Sequence, residues 1–147
     1  MEIKLRFQRL SADALVPTYA TEDAAGADLY ALPGEPITIP AGETRLIHTG
    51  VALEIPKGYG GFIYARSGLA TKKGLAPANK VGVIDADYRG EIMVALHNHA
   101  AEARTVEGGE RIAQIVFAPV ARALWEEADS LSDTARAEGG FGSTGKK

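Results

Sequence analysis

The chain has 147 residues and a formal net charge of −3, with 46% hydrophobic and 24% charged residues. That is one domain's worth of chain with enough apolar content for a core, and its acidic balance argues against a general nucleic-acid or membrane binder, which is usually basic. The absence of cysteine excludes disulfides, thiolate nucleophiles and cysteine-held zinc, and no apolar run nears the roughly 18 residues of a membrane span.

From the N-terminus onward the apolar period is two. In Met1–Phe7, Ile3, Leu5 and Phe7 alternate with Lys4 and Arg6, which predicts a strand and not a signal peptide; a cytosolic protein is expected. Asp28 then stands among the small and apolar residues of Ala24–Ala31, and a carboxylate there needs a partner, either a hydrated Mg²⁺ or an arginine. Turn signals recur at Pro33-Gly34, Pro40–Gly42, Pro56–Gly58, Gly60-Gly61 and Gly108-Gly109, and most of the 17 glycines fall between strand patterns. Many short strands with regular Gly/Pro punctuation predict a sandwich, barrel or jelly roll.

Ala65–Ala70 holds Arg66, Ser67 and Gly68. Arginine offers a fixed fork of donors for phosphate; Ser67 reads either as part of an anion nest or as the N-cap of a short helix over Ser67–Lys73. In Asn79–Gly90 the apolar run Val81–Ile84 ends at Asp85, Asp87 to Gly90 turn the chain, and Glu91–Leu96 returns as a strand. The pattern predicts a β-hairpin with an acidic, aromatic tip; taken alone, that tip also reads as a plain polar turn. His97 and His99 share a strand face but have no neighbouring acid or cysteine, so solvated or subunit-facing imidazoles are expected ahead of a metal pair. Ile112–Phe117 is apolar on both faces except for the amide of Gln114. Ala121–Leu131 carries acids suited to a solvated helix, but Leu124-Trp125 favours strand or extended chain.

The last nine residues, Gly139–Lys147, hold four glycines, one phenylalanine, two hydroxyls and two lysines. They resemble a phosphate-binding P-loop in skeleton, but that motif needs a strand before it, a helix after it and a Ser or Thr following the lysine; Lys147 follows instead. The segment reads either as a loose glycine-rich end or as a flap that orders over a phosphorylated, ring-bearing ligand.

Five segments in order, Ala-Gly-Ala-Asp-Leu, Arg-Ser-Gly-Leu-Ala, Gly-Val-Ile-Asp-Ala-Asp-Tyr-Arg-Gly, Arg-Ile-Ala-Gln and Arg-x-x-Gly-Gly-Phe-Gly-Ser-Thr-Gly, resemble the five motifs of the trimeric dUTPase family, the dUTP diphosphatases. Ala65, where many members carry proline, is one small departure. The resemblance implies an all-β, distorted jelly-roll-like barrel (the dUTPase-like β-clip) over 1–131, with at most one short helix, and a flexible glycine-rich arm over 132–147 that closes an active site. It implies a homotrimer with shared sites that hydrolyses dUTP to dUMP and pyrophosphate with Mg²⁺, supplies dUMP for thymidylate synthesis, limits uracil in DNA, and has no nucleic-acid or membrane partner. Residue by residue, it assigns Asp85 as the catalytic base and Tyr88 to the deoxyribose. Asn79, Val83, Ile84 and the Asp85 backbone fall at the uracil edge, and Met93 lines the base pocket. Arg66, Ser67, Gly68 and Gln114 fall to the phosphates; Arg136, Ser143 and Thr144 to the γ-phosphate; Phe141, followed by Gly142, to a lid over the base. Asp28 is assigned to water of the metal shell, the metal itself resting mainly on substrate phosphates. Two other readings are a dCTP deaminase-like enzyme and a non-catalytic nucleotide-binding regulatory trimer.

Overall fold

The computed structural model describes residues 2–141. Its described residues form eleven strands and one helix in the order β1 (Arg6–Arg9), β2 (Thr18–Tyr19), β3 (Ala27–Tyr30), β4 (Ile37–Ile39), β5 (Thr44–Glu54), β6 (Tyr59–Tyr64), α1 (Ser67–Lys73), β7 (Leu75–Pro77), β8 (Gly82–Ile84), β9 (Glu91–Asn98), β10 (Arg104–Val106) and β11 (Arg111–Pro119). One sheet has the order β1-β5-β9-β7, a second β2-β3-β11-β6-β8, and β10-β4 form a small third. Every strand pair is antiparallel. This is the jelly-roll-like β fold that the short strands predict, with the sheets left open and not closed into a continuous barrel.

The core follows from the period of two. Along β9, Ile92, Val94, Leu96 and Asn98 are buried while Glu91, Met93, Ala95 and His97 are half-buried. Its buried face joins Ile47, Val51 and Leu53 of β5 and meets Ala27 and Leu29 of β3, Ile63 of β6 and Ile112 and Ile115 of β11 in one cluster. In β11 the register shifts between Arg111 and Ala113, a bulge that lets Ile112 and Ala113 both face inward.

The N-terminal strand is shorter and later than expected, Arg6–Arg9, and leaves Phe7 half exposed. Gly60-Gly61 is not a turn. Both lie inside β6, where a Cβ on Gly61 would stand 3.0 Å from Ile55 Cδ1 and 3.1 Å from Ile115 Cδ1; the missing side chains let the strand press onto the core. The expected helix is present and stops at Gly74, whose φ of 68° is left-handed and whose N–H bonds back to Ala70 O. Residues 120–131 form neither helix nor strand, and Leu124, Trp125 and Leu131 stand exposed. No helix of the described residues is long and apolar enough to cross a membrane.

Asn98 is fully buried, with its amide N–H₂ given to Ile39 O and Glu102 O and its Oδ1 taking the Ala100 N–H. Asn98→Ala leaves these three backbone groups without their partner; at about 1–3 kcal/mol per unsatisfied group, offset by local relaxation, it is expected to cost roughly 3 kcal/mol in urea unfolding.

Candidate active site

The motif residues gather at two poles. At the first, Asp28 on β3, Tyr64 at the end of β6 and Gln114 on β11 are in register. The Asp28 carboxylate is 7% exposed and is met by two arginines, Arg66, expected at the phosphates, and Arg111, not singled out: Arg66 Nε donates to Oδ1 at 2.7 Å, and Arg111 Nη1 to Oδ2 at 3.3 Å. Gln114 gives its N–H₂ to Ala65 O at 2.9 Å, pinning the segment that carries Arg66. Gly26 makes this possible, since a Cβ there would stand 2.6 Å from Gln114 Oε1. Ser67 is the first helical residue and not the N-cap; extended Arg66 holds that place and makes no side-chain capping bond. Ser67 and Gly68 are exposed at this pole.

The second pole is built around Asp85. Strand β8 pairs with β6 and β9 with β5 and β7, so the expected hairpin is instead a crossing from one sheet to the other. The reason is that Gly82–Ile84 finds the free edge of β6, with Gly61 opposite Ile84. The crossing is a turn in which Tyr88 N bonds to Asp85 O, and Arg89 Nη1 donates to Ala86 O at 2.7 Å and Tyr88 O at 3.1 Å. Tyr88 Oη donates to Glu91 O at 2.9 Å, and its ring lies over Gly90, where a Cβ would collide with it. Val83 is exposed, Ile84 and Met93 are half-buried, and the Asn79 amide lies over Gly82. Asp85 opens onto a groove of about 1000 Å³ lined also by Asp87, Lys4, Lys57, Arg89 and Arg122.

Sequence reasoning gave Asp28 a hydrated Mg²⁺ or an arginine as partner without naming the arginine, and it missed Arg111, Arg89 and Glu91. Arg111 and Arg89 sit inside quoted motifs as unassigned cations, a signal that was available. Glu91 carries none. Its Oε2 meets His48 Nδ1 at 2.8 Å and its Oε1 accepts the Gly50 N–H at 2.8 Å. In the arm, Arg136 Nε bonds to Gly139 O at 2.6 Å and Phe141 is fully exposed; Gly142, Ser143 and Thr144 lie outside the described residues. The His97 and His99 rings meet edge to face at 4.5 Å, with His97 Nδ1 against Thr44 Oγ1. No group of three or more metal-ligating side chains lies together among the described residues.

The first pole presents cations beside an exposed Ser-Gly pair, chemistry suited to a phosphate chain, and the second an exposed carboxylate beside an aromatic ring and half-buried apolar side chains, chemistry suited to a ring. The class is a jelly-roll protein for a phosphorylated ring compound. Within it the chain belongs to the dUTPase family, whose model matches residues 12–145. It is 51% identical to a deoxyuridine 5'-triphosphate nucleotidohydrolase of Nautilia profundicola, over 98% of this chain and 100% of that one, and 54% identical to one of Rickettsia felis over 88% of each. Among solved structures it resembles the dUTPase of Staphylococcus bacteriophage 80alpha with dUPNHPP, at TM-score 0.89 and 28% identity over 97% of this chain and 99% of that one. It also resembles a mutant dUTPase of phage phi11 of S. aureus in which a structural Mg(II) ion is coordinated, at TM-score 0.79 and 25% identity over 87% and 98%.

Burial alone would raise the Glu91 carboxyl, but the hydrogen bonds from His48 and the Gly50 N–H outweigh it and hold the carboxyl below its ordinary value. A carboxyl lowered in the folded state contributes stability above its unfolded pKa and loses it as pH falls through the folded value. The stability gap between wild type and Glu91→Gln is therefore expected to hold from neutral pH to about pH 5 and to shrink below about pH 4.3, as read by urea unfolding across a pH series.

Proposed function

We propose that the protein is a dUTP diphosphatase whose active sites are each assembled from more than one copy of the chain. The observation that carries the reading is the placement of the two poles on β6. Ile84 pairs with Gly61 in antiparallel register, so Asp85 leaves at the start of β6, while Arg66 lies five residues beyond Gly61 at its far end. At about 3.3 Å per residue that is roughly 15–20 Å. A general base must reach the water it activates, and the phosphate ligands must hold the same phosphoryl group. Within one chain they cannot meet; in neighbouring copies they can. A homotrimer satisfies this with three equivalent sites. The exposed Leu124, Trp125 and Leu131 support association, since large apolar side chains left this open gain by being covered in an assembly.

In this reading Asp85 takes the proton of a water that attacks the α-phosphorus, and pyrophosphate leaves. Arg66, Ser67, Gly68 and Gln114 of another copy hold the phosphate chain, Arg66 being aimed by Asp28. Asn79 and the Val83–Asp85 backbone read the uracil edge, Met93 lines its pocket and Tyr88 closes the sugar side. The arm, 132–147, brings Arg136, Phe141 and the Gly142–Thr144 segment over the bound nucleotide and excludes water. The described residues offer no cage for a bare cation, and both Asp28 oxygens already accept arginine bonds. This donor set fits Mg²⁺, which keeps its waters and prefers substrate phosphates, with Asp28 reaching it through water. When bound it offsets charge on the leaving pyrophosphate. The product dUMP would feed thymidylate synthesis, and removal of dUTP would keep uracil out of DNA, in the cytoplasm.

Asp85→Asn is expected to lower dUTP turnover at least about a hundredfold with nucleotide binding kept, measured as dUMP and pyrophosphate release against dTTP, dCTP and UTP; ammonia released from dCTP would instead indicate a deaminase, and binding without pyrophosphate a regulatory protein. Multi-angle light scattering is expected to give three times the chain mass, and a stable, active monomer would end the shared-site reading.

A further inference from the structure

Glu91 lies outside every residue assigned above, yet it ties three parts of the fold together. Between the pairs His48–Met93 and Ala52–Glu91, β5 takes four steps where β9 takes two. Such a bulge strips backbone groups of their ladder partners. Here the Gly50 N–H is taken by Glu91 Oε1 at 2.8 Å and His48 Nδ1 by Oε2 at 2.8 Å, while Thr49 Oγ1 donates to Ile92 O at 2.6 Å. Gly50 has a left-handed φ of 70°, and Ala14 and Leu32 leave no room for a side chain. The bulge is thus fixed from all sides, with Val51 and Ile92 buried beside it. The main chain of Glu91, anchored there, offers the carbonyl that accepts the Tyr88 hydroxyl at 2.9 Å, with the Tyr88 ring folded over Gly90.

We propose that Glu91 is a positioning residue for sugar discrimination: its carboxylate locks the β5 bulge, which fixes the carbonyl that holds the Tyr88 hydroxyl and with it the ring that leaves no space for a 2′-hydroxyl. The inference rests on the reading of Tyr88 as the sugar-facing residue. Its chemistry is mechanical. A ring tethered at its hydroxyl and packed over a glycine cannot swing away when a ribonucleotide presses on it, whereas a ring whose tether is loose can. Loss of Glu91 therefore admits UTP more than it harms dUTP. A residue that merely stapled the bulge would lower stability and leave the UTP/dUTP ratio where it was.

The test measures kcat/KM for dUTP and UTP, with thermal midpoints, for Glu91→Ala, Glu91→Gln, Tyr88→Phe, Tyr88→Ala and the double variant Glu91→Ala with Tyr88→Phe. Glu91→Ala is expected to raise the UTP/dUTP ratio about five- to tenfold, within the range of shape-based exclusion, while dUTP turnover falls about twofold or less. Glu91→Gln keeps an acceptor for the Gly50 N–H and is expected to raise the ratio less; it also serves if the alanine variant folds poorly. With the Tyr88 hydroxyl already gone, Glu91→Ala is expected to add less than about twofold, the non-additivity of residues acting as one unit. An unchanged ratio in both Glu91 variants, or the same increment with and without the Tyr88 hydroxyl, overturns the proposal. Tyr88→Ala separates it from the reading beneath it. If Tyr88→Ala shifts the ratio and the Glu91 variants do not, only the positioning role falls; if neither shifts it, ribose is rejected elsewhere and both fall.

Discussion

The antiparallel pairing of β6 with β8 is the constraint on which the rest depends. A chain leaving the C-terminal end of β8 necessarily emerges beside the N-terminal end of β6. Asp85 is therefore sent to one end of the sheet and Arg66 to the other, and no side-chain rotation brings them together. The sheet does not flex to compensate, because β6 is held on its other edge by six residue pairs with β11 and is pressed onto Ile55 and Ile115 through Gly61. The proposal of a site shared between copies rests on that polarity.

Each pole is organised by a carboxylate that is not free. Asp28 is nearly buried and holds two arginines in place, which keeps guanidinium groups where an anion can meet them at small entropic cost. At the other pole the Glu91 carboxylate is held by His48 and the Gly50 N–H, while its main-chain carbonyl accepts the Tyr88 hydroxyl. The two clusters share no side chain, which matches their separation along β6.

Much of this was legible in the sequence, for local reasons. The period of two in Ile92–Leu96 gave a strand with the right face inward, and Ser67–Lys73 was read as a short helix, although its stop at Gly74 went unread. The need of Asp28 for a partner was visible from its apolar neighbours. What failed was long-range or depended on packing. Arg66 and Arg111 are 38 and 83 residues from Asp28; both stood in quoted motifs, but nothing local joins either of them to Asp28. The hairpin reading took adjacency in sequence for pairing, whereas Gly82–Ile84 satisfies its backbone on β6. Gly60-Gly61 looked like punctuation because glycine permits turns, but here the missing Cβ matters for close approach, which no local pattern reveals. Glu91 resembled any solvated acid at the start of a strand until the bulge opposite it was known.

The exposed segment after β11 also has a spectroscopic consequence. It carries the chain's single tryptophan, 95% exposed at Trp125, while the core is built from aliphatic side chains. Intrinsic indole emission is thus nearly blind to whether the core is folded. It responds instead to whether another surface covers residues 120–131, so the protein carries an unlabelled optical reporter of its own company.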